Sequence, residues 1–152
     1  MTIEARLEEL GITLPEAAAP VASYQPFVVS GQTAYISGQL PFVEGRLVTG
    51  KLGADVSLEQ GQAAARASGL MIMAQLKAAG LLERVEQIVK LGGFVASTPD
   101  FTDQPKVVNG TSDLMFEVFG DAGRHARSAV GVPVLPLDAA VEVDAIVALR
   151  PA

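Results

Sequence analysis

Cysteine is absent from this 152-residue chain, and histidine occurs once, at His125. Without cysteine there is no disulfide, no thiolate nucleophile and no thiolate metal site. A single histidine rules out a histidine-based metal cluster. Bases are scarce, 11 against 17 acids, which leaves a formal net charge of −6. A surface of that sign repels phosphate backbones, so no nucleic-acid partner is expected. No predominantly apolar stretch reaches the ~20 residues of a helical membrane span, so no membrane partner is expected either. Glu4, Arg6, Glu8 and Glu9 alternate with Ile3, Leu7 and Leu10. That start is amphipathic and lacks the apolar core of a secretory signal, so a cytoplasmic location is expected. The glycines lack the strand–loop–helix setting and the lysine of a phosphate-binding loop.

What is present suits one compact α+β domain over residues 1–152, because 49% of the residues are hydrophobic. Residues 1–22 read as an N-terminal extension: a helix ending at Gly11, then a loop rich in Pro and Ala from Leu14 to Ala22. Short strands are expected at Phe27–Val29 and Thr33–Ser37, with a turn at Gly31. A further short strand is expected at Arg46–Val48. A long helix is expected from Leu58 to Ala79, opened by a capping box of Ser57 and Gln60 and closed by Gly80. Ala63, Ala67, Leu70, Ala74 and Ala78 form a small-residue stripe suited to close packing on a sheet. Met71, Ile72, Met73 and Leu76 widen the apolar surface and imply burial on more than one side. Val85–Ala96 is β-branched, and Gly92-Gly93 within it suggests a bulge or the close approach of another backbone. Pro105 opens a second helix that ends at Phe119 before Gly120. Ala126–Val134 and Ala140–Leu149 read as a closing pair of strands joined through Leu135-Pro136-Leu137-Asp138. The order places two main helices on one face of the sheet.

Arg127 stands out among the polar residues. On a strand it shares its face with Ala129 and Gly131, so it overlooks open space. A guanidinium there suits a carboxylate ligand, which it can hold through two oxygens at once. If the last two strands form a hairpin centred near Leu135, Arg127 lies opposite position 143, beside Glu142 and Asp144. A carboxylate in that place can orient a water or take its proton. The plain alternative is a cross-strand salt bridge. Tyr24, Ser37-Gly38-Gln39, Asn109 and His125 have plain alternatives too: a packed tyrosine, a turn, a solvated helix position and an exposed loop residue. Two acids alone are too few for a dedicated metal site, and no cofactor is expected.

Tyr24, Ser37-Gly38-Gln39, Val108-Asn109, Ala126-Arg127-Ser128, Leu135-Pro136 and Val141-Glu142-Val143 occur in the order of the landmarks of the Rid (YjgF) family. The sequence resembles that family from about Tyr24 to Leu149, and most closely over Arg127–Glu142. The resemblance implies a chorismate-mutase-like α+β homotrimer with clefts between subunits. It also implies cofactor-free hydrolysis of amino-acid-derived enamines and imines, such as 2-aminoacrylate and 2-iminopropanoate, to 2-keto acids and ammonia. Arg127 then corresponds to the carboxylate clamp, Glu142 to the group holding the attacking water, and Tyr24 to a polar cleft residue. Ser37, Gly38 and Asn109 fall at further substrate-binding positions. The chain departs from compact members in its longer N-terminus, in His125 where a small residue or proline is usual, in Gly131 where many carry an acid, and in Pro133. In these it is similar to the longer branch that bears an endoribonuclease name. Three alternatives to deamination stay open: a non-catalytic binder or regulator using the same clefts for small carboxylates, a ribonuclease, and a chorismate-mutase reaction by analogy of fold.

Overall fold

The computed structural model describes residues 1–19 and 23–152, so the last part of the expected Pro/Ala loop lies outside the described residues. Helix α1 (Ile3–Glu9) starts at Thr2, whose hydroxyl accepts from the Ala5 amide, and ends before Gly11 at φ 68°. Two strands follow, β1 (Phe27–Ser30) and β2 (Thr33–Gln39), turned by Gly31 at φ 62°. A small ribbon pairs β3 (Phe42–Val43) with β4 (Arg46–Leu47). Helix α2 (Leu58–Ala78) carries the expected capping box of Ser57 and Gln60. Strand β5 (Val85–Ala96), helix α3 (Gln104–Phe119), strand β6 (Ala126–Val132) and strand β7 (Val141–Leu149) complete the chain.

The main sheet runs β1-β2-β7-β5-β6, with β5 and β6 parallel and its other pairs antiparallel. The expected pairing of β6 with β7 is therefore wrong. Strand β5 lies between them, and Arg127 sits beside Leu91 instead of position 143. The reason is the crossover: β5, α3 and β6 form a strand–helix–strand unit, which lays its two strands side by side in parallel. The segment from Leu135 to Ala140 then passes the end of β5, where the Ala96 amide donates to the Ala140 carbonyl.

The core lies between the helices and one face of this sheet. Ile72, Met73 and Leu76 of α2 pack with Leu114, Met115 and Val118 of α3 over Ile88, Leu91, Val143, Ala145 and Val147. The small-residue stripe of α2 has a different role from the one expected. Ala63, Ala67 and Leu70 line a 730 Å³ groove beneath Thr13–Glu16 and Ala18, and Ala78 is exposed. No bulge falls at Gly92-Gly93; the register shifts occur nearer the start of β5. These two glycines instead make room for side chains, with Asp144 over Gly92 and Val108 over Gly93.

Candidate functional site

Arg127 pairs in register with Leu91, a core residue, so its side chain lies on the helix-covered face of the sheet at the outer strand β6. Helix α3 crosses above it. One guanidinium nitrogen, Nη1, donates to Asn109 Oδ1 at 2.8 Å and to Ser112 Oγ at 3.0 Å. Positions 109 and 112 are three apart on the helix and so share a face. A guanidinium has five N–H donors. Nη1 accounts for two, and among the described residues nothing takes the Nε–H or either Nη2–H. The edge made by Nε and Nη2 is the geometry that grips both oxygens of a carboxylate. Ala129, next on the same face, is small, as expected.

Glu142 and Asp144 lie on the opposite face. Their neighbours Val141, Val143 and Ala145 point into the core, and the half-buried acids alternate with them. Glu142 occupies the space above Gly38: a Cβ added there would lie 2.7 Å from the Glu142 carboxyl. Asp144 fills the equivalent space over Gly92. Burial pushes the Glu142 carboxyl above its ordinary range, and the charge of Asp144 pushes it further. Asp144 is also raised by burial, partly offset by the Gly92 amide and by Lys90. Neither acid has an ion-pair partner within 4.0 Å among the described residues.

The expected site therefore divides in two. One group contains Arg127 and Asn109, joined by a hydrogen bond. The other contains Glu142, Gly38, Ser37 and Tyr24. Ser37 donates its hydroxyl to the Gln25 carbonyl at 2.7 Å, and its amide donates to the Pro26 carbonyl, which ties the Tyr24 segment to β2. Tyr24 and Gly38 line a common 120 Å³ pocket with Gln39, Gln75 and Leu137. Gln39 and Gln75 are buried; Gln75 donates its side-chain amide to Gln39 Oε1, and Gln39 donates its own to the Ser37 carbonyl. Within the chain the sheet separates the two groups, so the expected placement of Arg127 beside Glu142 and Asp144 is not what the fold produces.

Two corrections concern polar residues. Asn109 is not merely solvated, since its side chain fixes Arg127. His125 is partly buried and hydrogen-bonded through both ring nitrogens, rather than an exposed loop residue. Ser112 had no place in the sequence reading. Its spacing from Asn109, off the apolar stripe of α3, is the signal that marks it. Among the described residues, no group of three or more His, Asp or Glu is placed to hold a metal. Nor, among the described residues, is any helix long and apolar enough to cross a membrane.

A mixed sheet with helices on one face and this spread of polar residues defines the chorismate-mutase-like α+β class. The profile of the family described as "YjgF/chorismate mutase-like, putative endoribonuclease" matches residues 4–149. The chain belongs to that family. It is 53% identical to Protein TCP17 of Trypanosoma cruzi over 97% of this chain and 94% of that one. The crystal structure of a putative endoribonuclease from Shewanella oneidensis superposes with a TM-score of 0.94 at 40% identity, covering 98% of this chain and 100% of that one. Escherichia coli TdcF, solved with bound serine, superposes at 0.66 with 27% identity, over 90% and 94% of the two chains.

Proposed function

We propose that the chain is a cytoplasmic, homotrimeric imine deaminase whose cleft combines Arg127 and Asn109 of one subunit with Glu142, Gly38, Ser37 and Tyr24 of a neighbour. The observation that carries this reading is the Arg127 guanidinium, held by Asn109 and Ser112 with its Nε/Nη2 edge unpartnered. TdcF, a relative with bound serine, holds a molecule bearing the carboxylate such an edge suits. The trimer has support in the open face of the sheet. There Val28 pairs with Tyr35, and Tyr35 with Ile146, while Val130 neighbours Phe94. Val28, Tyr35 and Val130 are each about half exposed, an apolar surface suited to burial against other subunits.

In the proposed reaction the substrate carboxylate rests on Arg127, with the imine carbon toward Glu142. The Glu142 carboxylate takes a proton from water as its oxygen bonds to the imine carbon, and the imine nitrogen gains a proton. Glu142 then returns its proton to the carbinolamine nitrogen, the hydroxyl proton passes to solvent as the carbonyl forms, the carbon–nitrogen bond breaks with its electron pair on nitrogen, and a 2-keto acid and ammonia leave. An enamine substrate reaches the same point by tautomerising first. Burial strengthens Glu142 as a base, because raising its pKa brings it nearer the working pH. No cofactor enters this scheme.

The test is ammonia release from freshly generated 2-iminopropanoate and 2-iminobutanoate, with keto acid measured in parallel. Stoichiometric release above the spontaneous rate supports the reading. The clamp is complete in one protomer and the acid is remote from it, so a small-carboxylate binder or regulator is the second reading. Pyruvate binding through Arg127 without ammonia release would establish that one. RNA cleavage is disfavoured by the net charge of −6 and by a lone histidine already engaged at both nitrogens.

A further inference from the structure

Behind Arg127 the polar contacts continue inward. Ser112 Oγ, which accepts from Arg127 Nη1 at 3.0 Å, lies 2.8 Å from His125 Nε2. His125 Nδ1 lies 2.7 Å from the Gly123 carbonyl oxygen. A carbonyl only accepts, so Nδ1 carries the proton, and in the neutral ring Nε2 presents a lone pair. Ser112 therefore donates its hydroxyl proton to Nε2 while its oxygen faces Arg127. The result is one directed chain: Arg127 N–H to Ser112 O–H to His125 Nε2, with His125 Nδ1–H to Gly123.

The far end of this chain is rigidly held. Gly123 lies so close to the Met115 carbonyl of α3 that a Cβ would collide with backbone. Gln87 of β5 donates its side-chain amide to the Arg124 carbonyl, and the Arg124 guanidinium stacks 4.5 Å from the Phe116 ring centroid. A serine hydroxyl otherwise rotates freely. His125 removes that freedom and turns the oxygen lone pairs of Ser112 toward the guanidinium. Each bond also polarises the next.

We infer that His125 is a positioning residue for the Arg127 clamp, acting through the Ser112 hydroxyl to hold Nη1 on α3 and leave the Nε/Nη2 edge facing the ligand carboxylate. The inference rests on the reading of Arg127 as the clamp. It adds a specific role for the only histidine of the chain, which the reaction scheme leaves unused.

Because His125 is the only histidine, the imidazole ¹⁵N signals of tag-free labelled protein report it without assignment. The expected state at neutral pH is the Nδ1–H tautomer with Nε2 accepting. Titrating 2-ketobutyrate should move these signals in wild type and much less in Ser112→Ala. Calorimetry and imine kinetics on variants follow the energetic side. Ser112→Ala and His125→Phe should each weaken 2-ketobutyrate binding and raise KM by about five- to tenfold, the range of one hydrogen bond, with kcat within about twofold. The double variant should be no worse than either single one, because the two act in series. His125→Gln, whose carboxamide oxygen can stand near Nε2, should restore most of the affinity. An Nε2–H tautomer, additive losses in the double variant, or wild-type affinity in both Ser112→Ala and His125→Phe would each overturn the inference. Arg127→Ala separates this from failure of the clamp itself. Equal binding by wild type and Arg127→Ala removes the clamp, whereas lost binding there with unchanged His125 variants removes only the role of His125. If His125→Phe fails to fold, the tautomer and the Ser112→Ala and His125→Gln titrations still decide.

Discussion

Arg127 and Glu142 face opposite sides of one sheet, and their surroundings differ as much as their positions. Arg127 is held by Asn109 and Ser112 of α3, in the same chain. Among the described residues Glu142 has no cation within ion-pair distance; it sits in space left by a glycine, and burial and a second acid on its face raise its pKa. The arginine side is held in place by its own neighbours. The glutamate side holds charge where charge is unfavourable, which costs stability and strengthens a base. If the proposed reaction is right, binding strength and reactivity reside in different halves, and substitutions should move them separately.

The largest effects should come from breaking each half in turn. Glu142→Gln keeps the side-chain shape but removes the proton acceptor, so imine turnover should fall by roughly 10²–10⁴-fold with little change in pyruvate affinity. Arg127→Lys keeps the charge but loses the two-pronged grip, so both turnover and pyruvate affinity should fall. Co-expressing Arg127→Ala with Glu142→Gln sharpens the comparison further. If each cleft draws its halves from two subunits, random mixed trimers contain about one intact cleft in four, and activity returns. Activity that stays at the level of the separate variants would place both halves in one subunit and rule out the shared cleft. Light scattering that showed a stable monomer at micromolar concentration would remove it altogether.

A smaller effect should come from Gly38→Ala. The added methyl group would meet the Glu142 carboxyl 2.7 Å away. That carboxyl is the end of a flexible side chain, so the fold should survive while the base is displaced. Turnover should drop about tenfold or more, since small misplacements of a reacting group are costly. Pyruvate affinity, which belongs to the other half, should hold. Kinetics and calorimetry on one preparation would check both; unchanged turnover would mean that Glu142 needs no fixed position.

The two halves were unequally legible in the sequence. Local signals placed the elements well: Ser57 with Gln60 marks the start of α2, Pro105 and Gly120 bracket α3, and β-branched residues mark β5. The landmark order pointed to the family, and the alternation along β6 put Arg127 with Ala129. The juxtaposition of Arg127 and Glu142 failed because it depended on strand order. Val85–Ala96, a helix and Ala126–Val132 form a parallel crossover, and that rule outweighs the nearness of β6 and β7 along the chain. Ser37-Gly38-Gln39 looked like a turn because the reason for its glycine, the Glu142 side chain, arrives from a strand more than a hundred residues later. The Ser112–His125 contact was invisible for a similar reason: a helix residue and a loop residue meet only once Gly123 packs on α3.

The smallest expected effect concerns stability and pH. Glu142 and Asp144 both have folded-state pKa values raised by burial. Between the ordinary carboxylate range and those raised values, the folded chain binds more protons than the unfolded chain. Stability therefore falls as pH rises through that window, stays lower above it, and recovers as pH falls back. Glu142→Gln and Asp144→Asn remove the ionisable group and should flatten that part of the profile. At neutral pH each should raise Tm slightly, by about 2 °C or less, because half-exposed charges are screened by solvent. Glu142→Gln should then be more stable and far less active, whereas Asp144→Asn should be slightly more stable with much of its turnover intact. Thermal melts between pH 4 and 8 would test this. A Glu142→Gln protein that melts lower than wild type at neutral pH would show that the carboxylate is stabilised by a partner in the assembly, and the glutamate half would then resemble the arginine half after all.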